Sequence, residues 1–147
     1  SPVSEGGIKL TEKEMKYIQM FEAVTGTAVV DCVEEGDVLT FVVRKGDLKK
    51  AVSGSGAKIK ELVRYFRKKI KVVEYDTEAS NFIKNLFYPA EVVEPVRLLE
   101  KPDGKTVAIV TINPRDKGVA IGRDGKNINL VRLLAKRHFN IEHIIVK

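Results

Sequence analysis

The feature that most constrains the fold is an internal repeat. When the chain is shifted against itself by 69 residues, the separation between Asp47 and Asp116, similar residues coincide without a gap. The coinciding pairs are Asp47 with Asp116, Ala51 with Ala120, Val52 with Ile121, Gly56 with Gly125, and Ile59 with Ile128. Two copies that mix helices and strands do not make a solenoid, so the repeat predicts two small domains of one fold.

Local patterns in the first copy predict the order helix, strand, strand, helix, helix, strand. Thr11 to Glu14 form a capping-box pattern, and apolar residues follow at helical spacing. Two β-rich runs flank a turn that contains Gly36, as in a hairpin. The predicted elements are a helix over 11–23, strands over 27–33 and 38–44, a short helix from 47, a helix that bears Ile59 to Phe66, and a strand over 70–75.

The second copy predicts the same order of elements. Asp76 is a candidate N-cap for its first helix, and Pro114 suits the first position of a short helix because it needs no hydrogen bond there. The predicted elements are a helix after 76, strands over 91–99 and 106–112, a short helix from 113, a helix that bears Ile128 to Ala135, and a strand over 141–146.

The repeat also predicts the domain organisation. We expect an N-terminal tail over residues 1–8, a first domain over 9–75 and a second over 76–147. Each domain is α+β with a three-stranded sheet. No stretch rich in Pro, Gly or Ser separates the two copies, so we expect a rigid pair.

Composition excludes several classes of protein. The chain has 44% hydrophobic and 31% charged residues, and its apolar runs are shorter than the roughly 18 residues of a membrane span. The first residues lack an apolar secretion core, which predicts a cytoplasmic protein. Cys32 is the only cysteine, and with His138 and His143 it cannot make a structural zinc site. We expect no metal and no cofactor.

Positive charge is segregated along the chain. Residues 1–43 carry 3 Lys/Arg against 8 Asp/Glu, whereas residues 44–71 carry 11 against 2. The pattern recurs in the second copy, with 4 against 6 over 76–114 and 7 against 2 over 115–137. Both basic segments fall on the two central helices and the loop between them, which indicates an anionic partner at equivalent places in the two copies.

The loop of the second copy is a candidate binding site. The segment Val119–Ile128 reads V-A-I-G-R-D-G-K-N-I, with glycines at both ends of a four-residue loop at a helix start. Glycines allow another backbone to approach closely, and unpaired N–H groups at a helix N-terminus favour phosphate. Arg123 and Lys126 add charge, and Ile121 and Ile128 are expected to anchor the loop to the core. The alternative is an ordinary helix-to-helix turn.

The corresponding loop of the first copy reads Ser53-Gly54-Ser55-Gly56, so serine occupies the first glycine position. A serine hydroxyl can hydrogen-bond phosphate, and the flanking lysines, Lys58 among them, add general attraction. Two interpretations stay open: this copy binds as part of a longer surface, or it only supports the second copy.

The run N-P-R-D-K-G-V-A-I-G over 113–122, continued by N-I-N-L over 127–130, resembles the second KH domain of the NusA family of transcription factors. KH loops clamp about four nucleotides of single-stranded RNA. The resemblance implies two tandem type II KH domains that act in transcription elongation, termination or antitermination, with RNA polymerase or other transcription proteins as further partners. The implied RNA-binding residues are Ile121, Gly122, Arg123, Asp124, Gly125, Lys126, Asn127, Ile128 and Arg132, together with Ser53, Gly54, Ser55, Gly56 and Lys58.

The resemblance further implies an apolar groove for bases beside the second central helix, with Ile128, Arg132 and Ile144 as candidates. The phenylalanines are expected to pack in the core. Bacterial members of the family also carry a polymerase-binding domain and an S1 domain, and no segment of this sequence corresponds to them.

Catalysis is not expected, because the sequence contains no Walker loop, nucleophile elbow or zinc-peptidase motif. Two alternatives to RNA binding remain. One is a protein-interaction scaffold or adaptor of RNA polymerase or the ribosome. The other is a binder of single-stranded DNA, since no residue type by itself identifies a partner for the RNA 2′-hydroxyl.

Overall fold

The computed structural model describes residues 8–147, which form two compact units, one ending at Asp76 and one running from Thr77 to Lys147. The predicted N-terminal tail lies outside the described residues, apart from Ile8. Between residues 8 and 147, no helix has the length and apolar character that a membrane crossing requires.

The first unit has the predicted order of elements. Its helices and strands are α1 (Glu12–Thr25), β1 (Val29–Glu35), β2 (Val38–Val43), α2 (Leu48–Val52), α3 (Ala57–Phe66) and β3 (Lys69–Glu74). The sheet order is β1-β2-β3, with β1 and β2 antiparallel and β2 and β3 parallel.

The capping box predicted for α1 is confirmed. The Thr11 hydroxyl accepts from the Glu14 backbone N–H at 3.0 Å, and the Glu14 carboxylate accepts from the Thr11 N–H at 3.0 Å. The apolar face of α1 packs on the sheet, where Phe21 stacks on Phe41 with ring centroids 4.2 Å apart. Cys32 on β1 is fully buried in this core.

The second unit repeats the order. Its elements are α4 (Ala79–Phe87), β4 (Arg97–Glu100), β5 (Thr106–Val110), a 3-10 turn (Pro114–Asp116), α5 (Lys117–Ile121), a second 3-10 turn (Arg123–Gly125), α6 (Lys126–Phe139) and β6 (Ile141–Val146). The sheet order is β4-β5-β6, again antiparallel and then parallel. Phe82 and Phe87 on α4 are fully buried, as predicted, and α4 packs against α6.

Two local predictions for the second unit were wrong. The strand predicted over 91–99 reduces to a single bridge from Val92 to Ile112, followed by β4 from Arg97. Pro95 lies in the interruption, where it has no N–H to donate to a ladder. Asp76 is not the N-cap of α4, which begins after Glu78; its carboxylate instead lies 3.4 Å from the Lys45 ammonium.

Equivalent aspartates fasten the two short helices. The Asp47 carboxylate, at the start of α2, accepts from the Ala28 N–H at 2.9 Å, and the Asp116 carboxylate, before α5, accepts from the Glu91 N–H at 2.9 Å. Each therefore ties a short helix to the segment that follows the first helix of its own unit. The hydrogen bond from the Ala28 backbone lowers the pKa of Asp47, with a further contribution from Arg44.

Candidate nucleic-acid interface

The loop of the second unit requires glycine at its first position. Gly122 has φ 77° and ψ 167°, a backbone conformation that only glycine commonly adopts. A Cβ added there would lie 2.8 Å from both the backbone nitrogen and the Cβ of Asn127. Gly122 is therefore required both for its dihedral angles and for space.

The Asn127 side chain links the two helices on either side of this loop. Its side-chain amide donates to the Ala120 carbonyl oxygen at 2.8 Å, which links the beginning of α6 to the end of α5. Within the loop, the Gly125 N–H donates to the Gly122 carbonyl at 3.1 Å. The loop is thus held in a defined shape by bonds to both flanking helices.

Asp124 has a conformational explanation that sequence reasoning missed. Its φ and ψ are 56° and 27°, the left-handed region, where aspartate and asparagine are the most frequent residues other than glycine. The side chain is exposed. An acidic residue in this loop therefore fits the turn, whatever it contributes to a ligand.

The exposed surface of the loop has the chemistry of an anion site. Gly125 is the N-cap of α6 and no side chain caps that helix, a 14-residue element whose dipole places partial positive charge at the loop. The Arg123 and Lys126 side chains are exposed on either side of Gly125. Backbone dipole and side-chain charge therefore act at the same place.

The two isoleucines that flank the loop differ. Ile128 is buried, with 4% of its surface exposed, and anchors α6 as predicted. Ile121 is 38% exposed, so its predicted role as a second anchor was wrong. In a helix of only five residues the core side is occupied by Ala120, and Ile121 instead adds apolar surface beside the loop.

An open depression of about 560 Å³ lies between α6 and β6. Arg132 and Ile144, two of the candidate groove residues, both line it, together with His143 and Val107. Ile128 is not among its lining residues. Arg132 follows Gly125 by seven residues, about 10 Å along the helix axis, so one helix carries both the loop and one wall of the depression.

The loop of the first unit has a different backbone. Ser53 has φ −60° and ψ 166°, whereas Gly54, Ser55 and Gly56 are left-handed with φ of 66°, 57° and 76°. Added Cβ atoms at Gly54 and Gly56 would meet nothing closer than 3.8 Å. Glycine therefore suits these positions because of their dihedral angles, and a shortage of space is not the reason.

The Ser53 hydroxyl is already engaged within the chain. It donates to the Lys50 carbonyl oxygen at 3.0 Å, and a hydroxyl has a single hydrogen to donate. In this conformation Ser53 therefore has no proton for a phosphate oxygen. Lys58, the first lysine of α3, is half-buried.

Over residues 8–147, no group of three or more His, Cys, Asp or Glu side chains is placed to hold a metal ion.

Comparison with known proteins places the chain in a family. Residues 79–147 match the profile of the NusA-like second KH domain. A probable transcription termination protein NusA from Halococcus morrhuae is 35% identical over 137 residues, which cover 93% of this chain and 96% of that protein. The chain belongs to the NusA-like family. A protein of the same description from Methanococcus vannielii is 34% identical over 139 residues, covering 95% and 79%.

A solved structure also resembles this NusA-like chain. The crystal structure of APE1850 has a TM-score of 0.77 and 31% sequence identity, and covers 94% of this chain and all of its own. The part matched by the NusA-like KH profile contains the Gly122 loop, α6 and the depression, so the candidate interface lies within the family's KH domain.

Proposed function

We propose that the chain is a single-stranded RNA-binding transcription factor built from two tandem type II KH domains, residues 9–75 and 76–147, and that it acts in elongation, termination or antitermination. Membership of the NusA-like family and the names of its relatives as termination proteins support this role. The repeated element order supports the assignment of a KH domain to the first unit.

The observation that carries the proposal is the geometry at Gly122. Position 122 has no room for a side chain, the Asn127 hydrogen bond fixes the loop, and no side chain caps the N-terminus of α6. An ordinary turn between two helices does not need this combination of features. A loop that a sugar-phosphate backbone approaches closely needs all three.

The proposed grip has two parts. Backbone N–H groups at the start of α6, with Arg123 and Lys126, hold the phosphates and fix the position of the strand. The bases then extend towards the depression, where Arg132 offers donors and Ile144 an apolar surface. RNA polymerase and other transcription proteins would be further partners of the RNA-bound chain.

A titration tests the proposal. Fluorescence anisotropy with single-stranded RNA, single-stranded DNA and duplex of matched sequence is measured at several salt concentrations. We expect RNA to bind in preference to the others and the affinity to fall as salt rises. Equal or tighter binding of single-stranded DNA would favour a DNA binder, and no RNA binding at low salt would favour a protein scaffold.

A charge reversal locates the grip. Arg123→Asp places two adjacent carboxylates in the loop and should weaken RNA binding at least tenfold, because both would face the phosphates. Arg97→Asp makes the same charge change on β4, where Arg97 is exposed, and should change affinity less than twofold. Unfolding midpoints of both variants should match the parent chain. Equal losses in the two variants would show that only total charge matters.

A further inference from the structure

The outer face of α3 carries a line of three cations. Lys60, Arg64 and Arg67 are spaced at i, i+4 and i+7, so they share one face of the helix, opposite the buried Leu62. All three are exposed. We call these three residues the basic ridge; it begins one helical turn after Gly56, the last residue of the first loop.

The ridge cations have no acidic partner among residues 8–147, since the ion pairs of that part of the chain include none of them. Other cations of the same unit are paired: Arg44 with Asp47 at 3.3 Å, Lys45 with Asp76 at 3.4 Å, and Lys68 with Glu34 at 3.1 Å. Several cations of the first unit are thus held by acidic side chains, whereas the three ridge cations are not.

The second unit has no such ridge. The residues that align with Lys60, Arg64 and Arg67 are Asn129, Leu133 and Lys136. Leu133 is apolar and exposed, and the Lys136 ammonium is held by the Glu142 carboxylate at 3.1 Å. The fold therefore does not require three unpaired cations on this helix face, because the second unit forms the same helix with one cation there, and that cation is paired.

The end of α3 supports a role for the charge. Arg67 is the C-cap and has a left-handed backbone with φ 57°, whereas α6 ends in the same conformation at Asn140, with φ 55°. Asparagine and glycine fit this position, and arginine gains nothing from it. A residue kept in an unfavourable backbone conformation is a reason to look for a functional role.

We propose that the basic ridge is a second phosphate-binding surface, which holds the sugar-phosphate backbone of RNA along α3 beyond the first loop. The inference rests on the proposed RNA-binding function and extends it. RNA is the fitting partner because the ridge continues directly from a loop in the proposed RNA path, and because it offers charge with no apolar anchor, which suits sequence-independent backbone contact.

The test compares two triple variants that remove the same charge. The ridge variant is Lys60→Gln, Arg64→Gln and Arg67→Asn. The control variant is Lys9→Gln, Lys16→Gln and Lys84→Gln, three exposed lysines that belong to neither loop and to neither α3 nor α6. Both loops stay intact. Binding to single-stranded RNA is measured by anisotropy from low salt to near 1 M.

We expect the ridge variant to bind roughly 100-fold more weakly at 0.1 M salt, with the difference vanishing near 1 M, because each lost phosphate contact reduces the salt slope by about 0.7. The control variant should change the salt slope by less than about 0.7, the value for one phosphate contact. The proposal would be overturned if the ridge variant bound RNA as tightly as the parent chain, or if the two triple variants lost equal affinity. Failure of the parent chain to bind RNA would instead overturn the proposed function.

A single substitution separates structure from binding. Arg67→Asn introduces the residue that ends α6, and should raise the unfolding midpoint by about 2–5 °C while weakening RNA binding and making its salt dependence shallower. A variant that is more stable and binds equally well would contradict the proposal. Parallel titrations with duplex RNA identify the form of RNA that the basic ridge binds. Loss of affinity for single-stranded RNA in the ridge variant would support the proposal, whereas loss of affinity for duplex RNA alone would contradict it.

Discussion

The two loops have the same length and the same place in their units, but their backbones differ at the first two positions. The third and fourth residues match: Ser55 and Asp124 have φ of 57° and 56°, and Gly56 and Gly125 have φ of 76° and 72°. The first position is extended at Ser53 and has φ 77° at Gly122. The second is left-handed at Gly54 but not at Arg123.

This difference explains the two sequence patterns. S-G-S-G is not a G-x-x-G loop that has lost a glycine, because its glycines lie at left-handed positions of a backbone that differs from that of the second loop. A consequence follows for charge. The second position holds an arginine in the second unit and has a left-handed backbone that favours glycine in the first, where three unpaired cations lie on the basic ridge of α3. The units thus place positive charge differently around one scaffold.

The largest expected effect concerns the first loop position. Gly122→Ala should destabilise the second unit by about 2–3 kcal/mol, because alanine is strained at this φ and ψ and its Cβ meets Asn127. Ser53→Ala should cost about 0.5 kcal/mol, the loss of one exposed hydrogen bond. Chemical denaturation measures both. Similar costs in the two variants would mean that the loops share one backbone after all.

A smaller difference in stability is expected between variants of the equivalent aspartates Asp47 and Asp116. Asp47→Asn should cost about 1–2 kcal/mol at pH 7, because the carboxylate accepts from both the Ala28 N–H and Arg44. The folded pKa of Asp47 is lowered, so its stabilisation is complete above the unfolded value of about 3.9 and is lost as pH falls through the folded pKa. Asp116→Asn should cost less, since that side chain is more exposed.

Denaturation of both aspartate variants between pH 2 and pH 7 checks this expectation. The Asp47→Asn variant should converge with the parent chain at the acid end. A constant difference across the whole range would show that charge at Asp47 contributes nothing.

The smallest expected effect concerns the link between the paired helices. Asn127→Ala should cost about 1 kcal/mol, because it removes the bond to the Ala120 carbonyl. The aligned residue in the first unit is Lys58, and Lys58→Ala should leave stability within about 0.5 kcal/mol of the parent. Thermal denaturation compares the two. A larger loss of stability for Lys58→Ala than for Asn127→Ala would contradict the conclusion that the Asn127 side chain stabilises the second loop.

Sequence reasoning succeeded where the signals were local. The capping box at Thr11, the order of elements and the strand over 141–146 follow from spacing within a few residues. It failed where the deciding contact is distant. Asp76 has the chemistry of an N-cap, but its partner Lys45 lies 31 residues earlier along the chain, at a position that no periodicity indicates.

The candidate site shows the same division. The glycine pattern and charge of the second loop were visible in the sequence, as were Arg132 and Ile144, which the structure places together. The exposure of Ile121 was not visible, because a five-residue helix is too short for periodicity to indicate its buried face. The negative φ of Ser53, where the second loop has a positive φ at Gly122, could not be predicted from residue types. Serine adopts an extended conformation in many sequence contexts.

The burial of Cys32 gives the chain a built-in reporter. It is the only thiol, and it lies at 0% exposure in the core of the first unit. A thiol reagent added to the native protein reacts only when the core around Cys32 opens, so the rate of labelling measures the opening of the first unit. The chain thus carries a probe of that unit's stability without any engineered residue.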